Sequence, residues 1–316
     1  MSDSSLWVLG EALIDCVAQP DGSLRPMLGG SPFNLACAAA LQGVDVGYLN
    51  PFSSDVFGQA LAAKLAVCGA KALRNPSPKP TSLAVVNIDQ GQPSYGFYRE
   101  GVADRDYNAE DIVSLLKKHP AGVLHTGSLM AMPPEHHKVM HVIQFAKALG
   151  WTISIDVNLR TRVAYDLPAY LDAVNNMAAL ADWLKASNED MQLLGWSKVT
   201  FDNAPQLAKQ WSAMGCSRVA LTFGDQGAWL QVGDAHAQAP SKPIDFVDSV
   251  GAGDTFWGTC LADWLLADDW RDSAYAQEHL AITLDRALSA AAFNCAHTGC
   301  TPPTVEQLKK FKGSQQ

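Results

Sequence analysis

The residues best suited to chemistry lie in one short run, Asp248-Ser249-Val250-Gly251-Ala252-Gly253-Asp254-Thr255-Phe256-Trp257-Gly258. A strand-like stretch, residues 244–247, leads into it, and a helical pattern leaves it toward residue 266. A Gly-Ala-Gly backbone is free to aim several N–H groups at one point, and a helix N-terminus adds partial positive charge there. Such a turn can hold the charge that develops on a transferring phosphoryl group. Asp254 stands in the same turn, where its carboxylate can accept the proton of a hydroxyl. The helix start and its amides predict an ionised Asp254. An Asp N-cap after a glycine turn would use the same residue types, so this run alone leaves both readings open. A dinucleotide fingerprint is excluded, because Phe256 stands where its third glycine belongs.

A second run, Gly29-Gly30-Ser31-Pro32-Phe33-Asn34, opens an Ala-rich helical segment. Its glycines let backbone approach a ligand closely, and Asn34 carries both donor and acceptor. A plain turn and helix start fits as well. Two further clusters carry less. Cys295, His297 and Cys300 are spaced like metal ligands but lack a fourth partner nearby, so they read as structural thiols. His137 and His141 have helical spacing, but Lys138 stands where a zinc protease needs its Glu, so a solvated helix face is expected.

Short apolar runs at residues 6–9, 46–49, 122–125, 152–156, 183–186 and 218–223 read as strands. Helical patterns at 34–42, 57–68, 134–149, 167–181, 204–214 and 255–266 alternate with them. This alternation predicts βαβ units and a mostly parallel sheet covered on both faces, with ligands beyond the carboxyl ends of the strands. Asp156, Asn158, Arg160, Ser187, Thr222 and Gly224 fall at those ends. Segments 13–28 and 82–98 break the pattern as strand-like additions, the second with a turn at 89–93 suited to a hairpin. They predict a small separate sheet, either a lid or an edge decoration. The Pro-rich loop 75–80 marks its boundary.

The chain has 316 residues, 48% hydrophobic and 17% charged, which is ample for a core and excludes disorder. A net charge of −9 argues against a nucleic-acid partner, since phosphate backbones demand a basic stripe. No run approaches the ~20 apolar residues of a membrane helix. The first five residues lack a basic signal-peptide start, and Glu11 and Asp15 interrupt the apolar run behind them. The seven cysteines are odd in number and unpaired in spacing, which suggests reduced thiols and a cytoplasmic location.

The two glycine motifs, in this order and separation, resemble the ribokinase-like (PfkB) carbohydrate kinase family, and the likeness covers essentially the whole chain. Gly10-Glu11-Ala12-Leu13-Ile14-Asp15, Asp55-Val56-Phe57-Gly58 and Thr222-Phe223-Gly224-x-x-Gly227 fall at family positions. Tyr98-Arg99-Glu100-Gly101-Val102-Ala103-Asp104 and Asp156-Val157-Asn158-Leu159-Arg160 are similar to the fructokinase branch. The resemblance implies one three-layer α/β/α domain over 1–316, with a mostly parallel central sheet and a small β-sheet lid from about 13–30 and 82–105. It implies ATP-dependent phosphorylation of a sugar, in this branch D-fructose to fructose 6-phosphate, and a homodimer paired through the lid.

By position, the resemblance makes Asp254 the general base and Gly251, Ala252 and Gly253 the anion hole. Asp15, Gly29, Gly30, Asn34, Arg99 and Arg160 become the sugar site. Ser187, Thr222, Gly224, Gly227 and Asn294 become the nucleotide site. Mg²⁺ is assigned through water to Asp190, with Glu189 as rival, because Ser187 and Asp190 stand where the family carries Asn-x-x-Glu. A K⁺ beside Asp248 is a further implication. Residues 50–55 replace a glycine- and Asp-rich loop that is usual near the family's sugar site. Competing readings are a 2-keto-3-deoxygluconate, ribose or nucleoside kinase on the same fold, and a non-catalytic sugar or nucleotide sensor. The intact Gly-Ala-Gly-Asp turn speaks against the sensor. A nicotinamide oxidoreductase lacks its early fingerprint, since Gly10-Glu11-Ala12-Leu13 follows the first strand instead.

Overall fold

The computed structural model describes residues 4–19, 21–89, 92–271 and 277–314. Its strands, in chain order, are β1 (Leu6–Val8), β2 (Leu13–Ala18), β3 (Leu24–Gly29), β4 (Val46–Tyr48), β5 (Lys71–Ala72), β6 (Ser82–Asp89), β7 (Gln92–Tyr98), β8 (Val123–Gly127), β9 (Thr152–Asp156), β10 (Trp183–Ser187), β11 (Arg218–Thr222), β12 (Ala228–Val232) and β13 (Ala235–Ala239). The helices are α1 (Ser31–Leu41), α2 (Val56–Val67), α3 (Ala109–Leu116), α4 (His136–Ala148), α5 (Leu167–Ala178), α6 (Asn188–Leu193), α7 (Ala204–Ala213), α8 (Ala252–Leu265), α9 (Gln277–Cys295) and α10 (Val305–Ser314).

Nine strands form one sheet in the order β13-β12-β11-β10-β9-β8-β1-β4-β5. All its pairings are parallel except β11 with β12 and β12 with β13. Short apolar strands suit this sheet because both faces are buried. Alternate side chains feed two cores: Leu6, Val8, Trp183 and Ala220 pack with residues of α1, α8 and α9. Trp7, Leu184, Ala186, Val219 and Leu221 pack with α3, α4, α5 and α7 on the opposite face. The three-layer α/β/α arrangement follows. β1 lies between β4 and β8, so the strand order reverses there and leaves a crevice at its carboxyl end.

The added strands pair as a separate sheet, β3-β2-β6-β7, with β2 antiparallel to β3 and parallel to β6. In the β6–β7 hairpin Asp89 pairs with Gln92, and the tip at 90–91 lies outside the described residues. Residues 50–55 fasten this sheet to the large one. Asn50 accepts from Gly10 N at 2.6 Å and donates to the Asp104 carbonyl at 2.8 Å. Asp55 caps α2 and also accepts from Thr81 N and Oγ1 at the root of β6.

Three expectations need correction. Residues 244–247 form no strand: Pro240 and Pro243 cannot donate to a ladder, and Val247 N and Asp248 N turn instead to the Cys295 carbonyl. Two helices start earlier than their patterns suggest, α1 at Ser31 and α8 at Ala252. In α1, Pro32 sits in the first turn, where its missing N–H costs nothing and its fixed φ favours the helix. All seven cysteines are free, and no cluster of three metal-ligating side chains exists among the described residues. His141 pairs with Glu110 at 2.7 Å on an exposed face. Among the described residues no helix is long and apolar enough to cross a membrane.

Candidate active site

Gly251 is the N-cap of α8, with φ +74° and no side-chain cap. Glycine is required there twice over: the conformation is left-handed, and a Cβ would fall 2.4 Å from Cys300 Sγ. Ala252 and Gly253 form the first helical positions and Asp254 the next, so Asp254 is not the cap and its carboxylate is free for other work. It is 8% exposed. Ser31 Oγ donates to one oxygen at 2.6 Å and Asn34 Nδ2 to the other at 2.9 Å. Both donors come from the first turn of α1, which packs closely on α8: a Cβ on Gly258 would lie 2.9 Å from Ala38 Cβ. Burial raises the Asp254 pKa, against the pull of Ser31, Asn34, Lys185 and Arg160. Burial thus opposes the ionised form that the helix start favours, and these side chains restore part of it.

Asp15 projects from β2 opposite Met27 of β3. Its neighbour Gly29 leaves room for it, since a Cβ there would lie 2.1 Å from Asp15 Oδ2. Gly30 (φ +107°) presses against the Glu11 carbonyl, where a Cβ would lie 2.4 Å away. Among the described residues no side chain or backbone N–H donates to Asp15, so its oxygens remain available. Burial pushes its pKa up to about 6, with Arg160 opposing and Asp254 adding to the rise. Arg160 is delivered by a turn in which Asn158 takes a left-handed φ of +37°. Its backbone N donates to Tyr170 Oη at 3.1 Å, and its guanidinium acts on both Asp15 and Asp254. Asp15, Asn34, Arg160 and Asp254, far apart in sequence, thus share one site.

Arg99 goes elsewhere. Its Nη2 donates to Asp104 at 2.9 Å, with the two side chains 10% and 2% exposed. Asp104 also accepts from Ser82 Oγ at 2.6 Å, and Arg105 Nη1 donates to the Arg99 carbonyl at 2.7 Å. Buried Glu11 lies in the same field and is pushed up to about 7 by burial, against the pull of Arg99. Arg99 therefore helps build the root of the small sheet and forms part of the wall of a cleft of about 790 Å³. It is not among the charges acting on Asp15, nor among the largest influences on Asp254.

On the other side of α8, Ser187 caps α6 in a reciprocal box with Asp190. One Asp190 oxygen accepts from Ser187 N and Oγ at 2.8 and 2.7 Å, and the other from Leu159 N at 2.7 Å. Asp190 thereby ties the Arg160 loop to β10, while Glu189 beside it is exposed. Asp248 accepts from Val250 N at 3.0 Å and Gly299 N at 2.8 Å. Asn294 is fully buried and spans the Val250 carbonyl and Thr301 N, each at 2.7 Å. These two residues knit the loop before α8 to the loop after α9. Thr222 ends β11 beside a tight turn with Gly224 at φ +58° and Gly227 at φ +122°. A Cβ on Gly227 would lie 2.1 Å from the Ala239 carbonyl.

Sequence reasoning missed Ser31, which holds Asp254, and Lys185, whose Nζ meets both oxygens of Asp156 at 3.1 and 3.0 Å. Lys185 had a signal: it is a charged residue in the middle of an apolar strand run.

Comparison with known proteins agrees with this geometry. Residues 3–307 match the profile of the pfkB family carbohydrate kinases. A fructokinase from Rhizobium leguminosarum bv. trifolii is 31% identical over 80% of this chain and 77% of its own. A fructokinase from Vibrio alginolyticus is 28% identical over 98% of this chain and 99% of its own. The crystal structure of a Xylella fastidiosa fructokinase with bound ATP superposes with a TM-score of 0.85, at 25% identity, over 99% of both chains. A double mutant of Vibrio cholerae O395 fructokinase with bound fructose, ADP and potassium ion gives a TM-score of 0.82 at 25% identity, over 98% of this chain and 99% of its own. A helix start that presents Gly-Ala-Gly and a buried carboxylate, on a sheet of this order and with this coverage, makes the chain a member of the pfkB family of carbohydrate kinases.

Proposed function

We propose that the protein is an ATP-dependent fructokinase, converting D-fructose to fructose 6-phosphate. The observation that carries this reading is the Asp254 carboxylate, clasped by Ser31 and Asn34 at the start of α8 and facing the same site as Asp15 and Arg160. Fructokinases among its relatives support the choice of sugar. Asp15 accepts sugar hydroxyls with its unoccupied oxygens, while Gly29 and Gly30 admit the sugar close to the backbone. Asp254 takes the proton of the primary hydroxyl as that oxygen attacks the γ-phosphorus of ATP. The amides of Gly251, Ala252 and Gly253 receive the charge of the transferring group, and Arg160 neutralises it from the opposite side. Arg99 acts through the root of the lid.

The nucleotide lies over the ends of β10 and β11, near Ser187, Thr222, Gly224 and Gly227, with Asn294 bracing its far wall. The exposed carboxylate of Glu189 is free to hold a hydrated Mg²⁺, and Asp190, whose oxygens already accept from Ser187 and Leu159, would reach it only through water. When bound, the metal neutralises charge on the β- and γ-phosphates. A K⁺ would lie beside the loops that Asp248 joins through Val250 N and Gly299 N. The chain works as one kinase domain whose small sheet closes over the sugar and excludes water. It pairs with a second copy through that sheet, and it acts in the cytoplasm. A coupled ADP-release assay over fructose, ribose, 2-keto-3-deoxygluconate and nucleosides tests the reading. The highest kcat/KM is expected for fructose, and a higher value for another sugar overturns the substrate.

A further inference from the structure

Lys185 sits where an apolar residue would be expected. In β10, Leu184 and Ala186 face one core, so Trp183 and Lys185 face the other, toward α8. Lys185 stands directly opposite Asp156 of β9, and both are nearly fully buried. Its ammonium reaches both Asp156 oxygens, at 3.1 and 3.0 Å. The tip then lies 2.9 Å from the point where a Cβ on Gly253 would be. The ammonium has a third N–H, for which no further acceptor exists among the described residues. A buried ion pair of this kind is a weak source of stability, because desolvation offsets most of the attraction. Holding two strands together does not explain it, but its place beneath the anion-hole turn does.

We propose that Lys185, anchored by Asp156, is a positioning residue of the phosphoryl-transfer site: its ammonium seats the turn at Gly253 and keeps the Asp254 carboxylate in its proton-accepting form. This rests on Asp254 being the base. Groups from α1, β10 and the loop after β9 act on Asp254. Ser31 and Asn34 come from α1, Lys185 from β10 and Arg160 from the loop after β9. Asp15 of β2, Asp156 of β9 and the Cys300 thiol of the loop after α9 also feel its charge. Among these, Lys185 and Arg160 are the cations, and Arg160 is exposed while Lys185 is 4% exposed. The buried charge is screened far less, so of the two cations Lys185 acts the more strongly on Asp254. Lys185 keeps its own charge against burial because Asp156, Asp190 and Asp254 surround it.

The test is the pH profile of kcat at saturating fructose, ATP and Mg²⁺, measured beside thermal melts. Lys185→Met keeps the length of the side chain and removes the charge. A fall in kcat of about 10²-fold is expected, and the acid limb should move up by about one pH unit. Lys185→Arg keeps a positive charge beside Asp156, so its acid limb should stay at the parent position. A residue that only supports the fold would lower kcat without moving the limb, or move both limbs the same way. Either result in folded protein overturns the proposal. Where Lys185→Met fails to fold, Lys185→Gln decides: an upward limb supports the proposal, and a fixed or downward limb overturns it. Asp254→Asn separates the two claims. If it retains most of its kcat, the base reading fails; if it collapses while the limb of Lys185→Met stays fixed, only the role of Lys185 fails.

Discussion

Replacing Asp254 with Asn removes a proton acceptor while nearly preserving shape. In Asp254→Asn, Ser31 Oγ still finds an oxygen acceptor, as it does now at 2.6 Å. Asn34 Nδ2, now 2.9 Å from the second oxygen, instead meets an amide NH₂. One hydrogen bond is lost, at about 1 kcal/mol. Burial already disfavours the carboxylate, so its removal offsets part of that loss. The melting temperature should therefore fall by no more than about 2–4 °C. Loss of a general base costs ~10²–10⁴ in rate, or roughly 3–5 kcal/mol of barrier. We expect kcat to fall by that range, with fructose and ATP affinities changed less than about tenfold, because the proton moves only in the transition state. An N-cap role would have made Asn a silent replacement, but Gly251 holds that position. The assay is coupled ADP release over a full fructose titration, with a thermal melt on the same sample. A folded Asp254→Asn protein that retains most of its kcat would falsify the base assignment.

Three other outcomes are expected. Asp15→Ala should raise the fructose KM by the equivalent of about 2–3 kcal/mol and leave the ATP KM nearly unchanged; an unchanged fructose KM removes Asp15 from the site. Since Asp15 has its pKa pushed up to about 6, it is ionised above that pH and protonated below it. The fructose KM should rise as pH falls through about 6, and Asp15→Asn should flatten that dependence; a KM independent of pH between 5 and 7, an interval that brackets the pKa of about 6, contradicts it. Asp190→Ala loses the Ser187 box and the Leu159 bond, so it should lower the melting temperature and raise the Mg²⁺ requirement, whereas Glu189→Ala should leave the melt unchanged. A raised Mg²⁺ requirement in Glu189→Ala alone would transfer the metal role to Glu189.

The parallel sheet was legible because strands buried on both faces must be apolar throughout, and runs such as 152–156 and 218–223 announce themselves. The Gly-Ala-Gly-Asp turn was legible because a left-handed N-cap and a backbone anion site leave few residue types to choose from. β12 and β13, α3, α9 and α10 went unread: short antiparallel edge strands offer few periods and the Ala-rich α9 a weak one, whereas α3 carried a readable apolar stripe at Ile112, Val113 and Leu116. The false strand at 244–247 shows the converse, since its β-branched residues meet no sheet edge. Local pattern likewise could say that Asp15, Asn34, Arg160 and Asp254 are polar residues at element ends. It could not say that they converge, because convergence is set by the crossing of β2, α1, β9 and α8 in space. Tertiary packing alone buried Asp254 among Ser31, Asn34, Lys185 and Arg160 and brought Leu159 N to Asp190, beyond the local box of Ser187 with Asp190. The physical reason is common to all of these. Residue type sets which interactions a side chain can make, but charge, desolvation and hydrogen-bond partners depend on distances across the fold, and those exist only once the two sheets and their helices are packed.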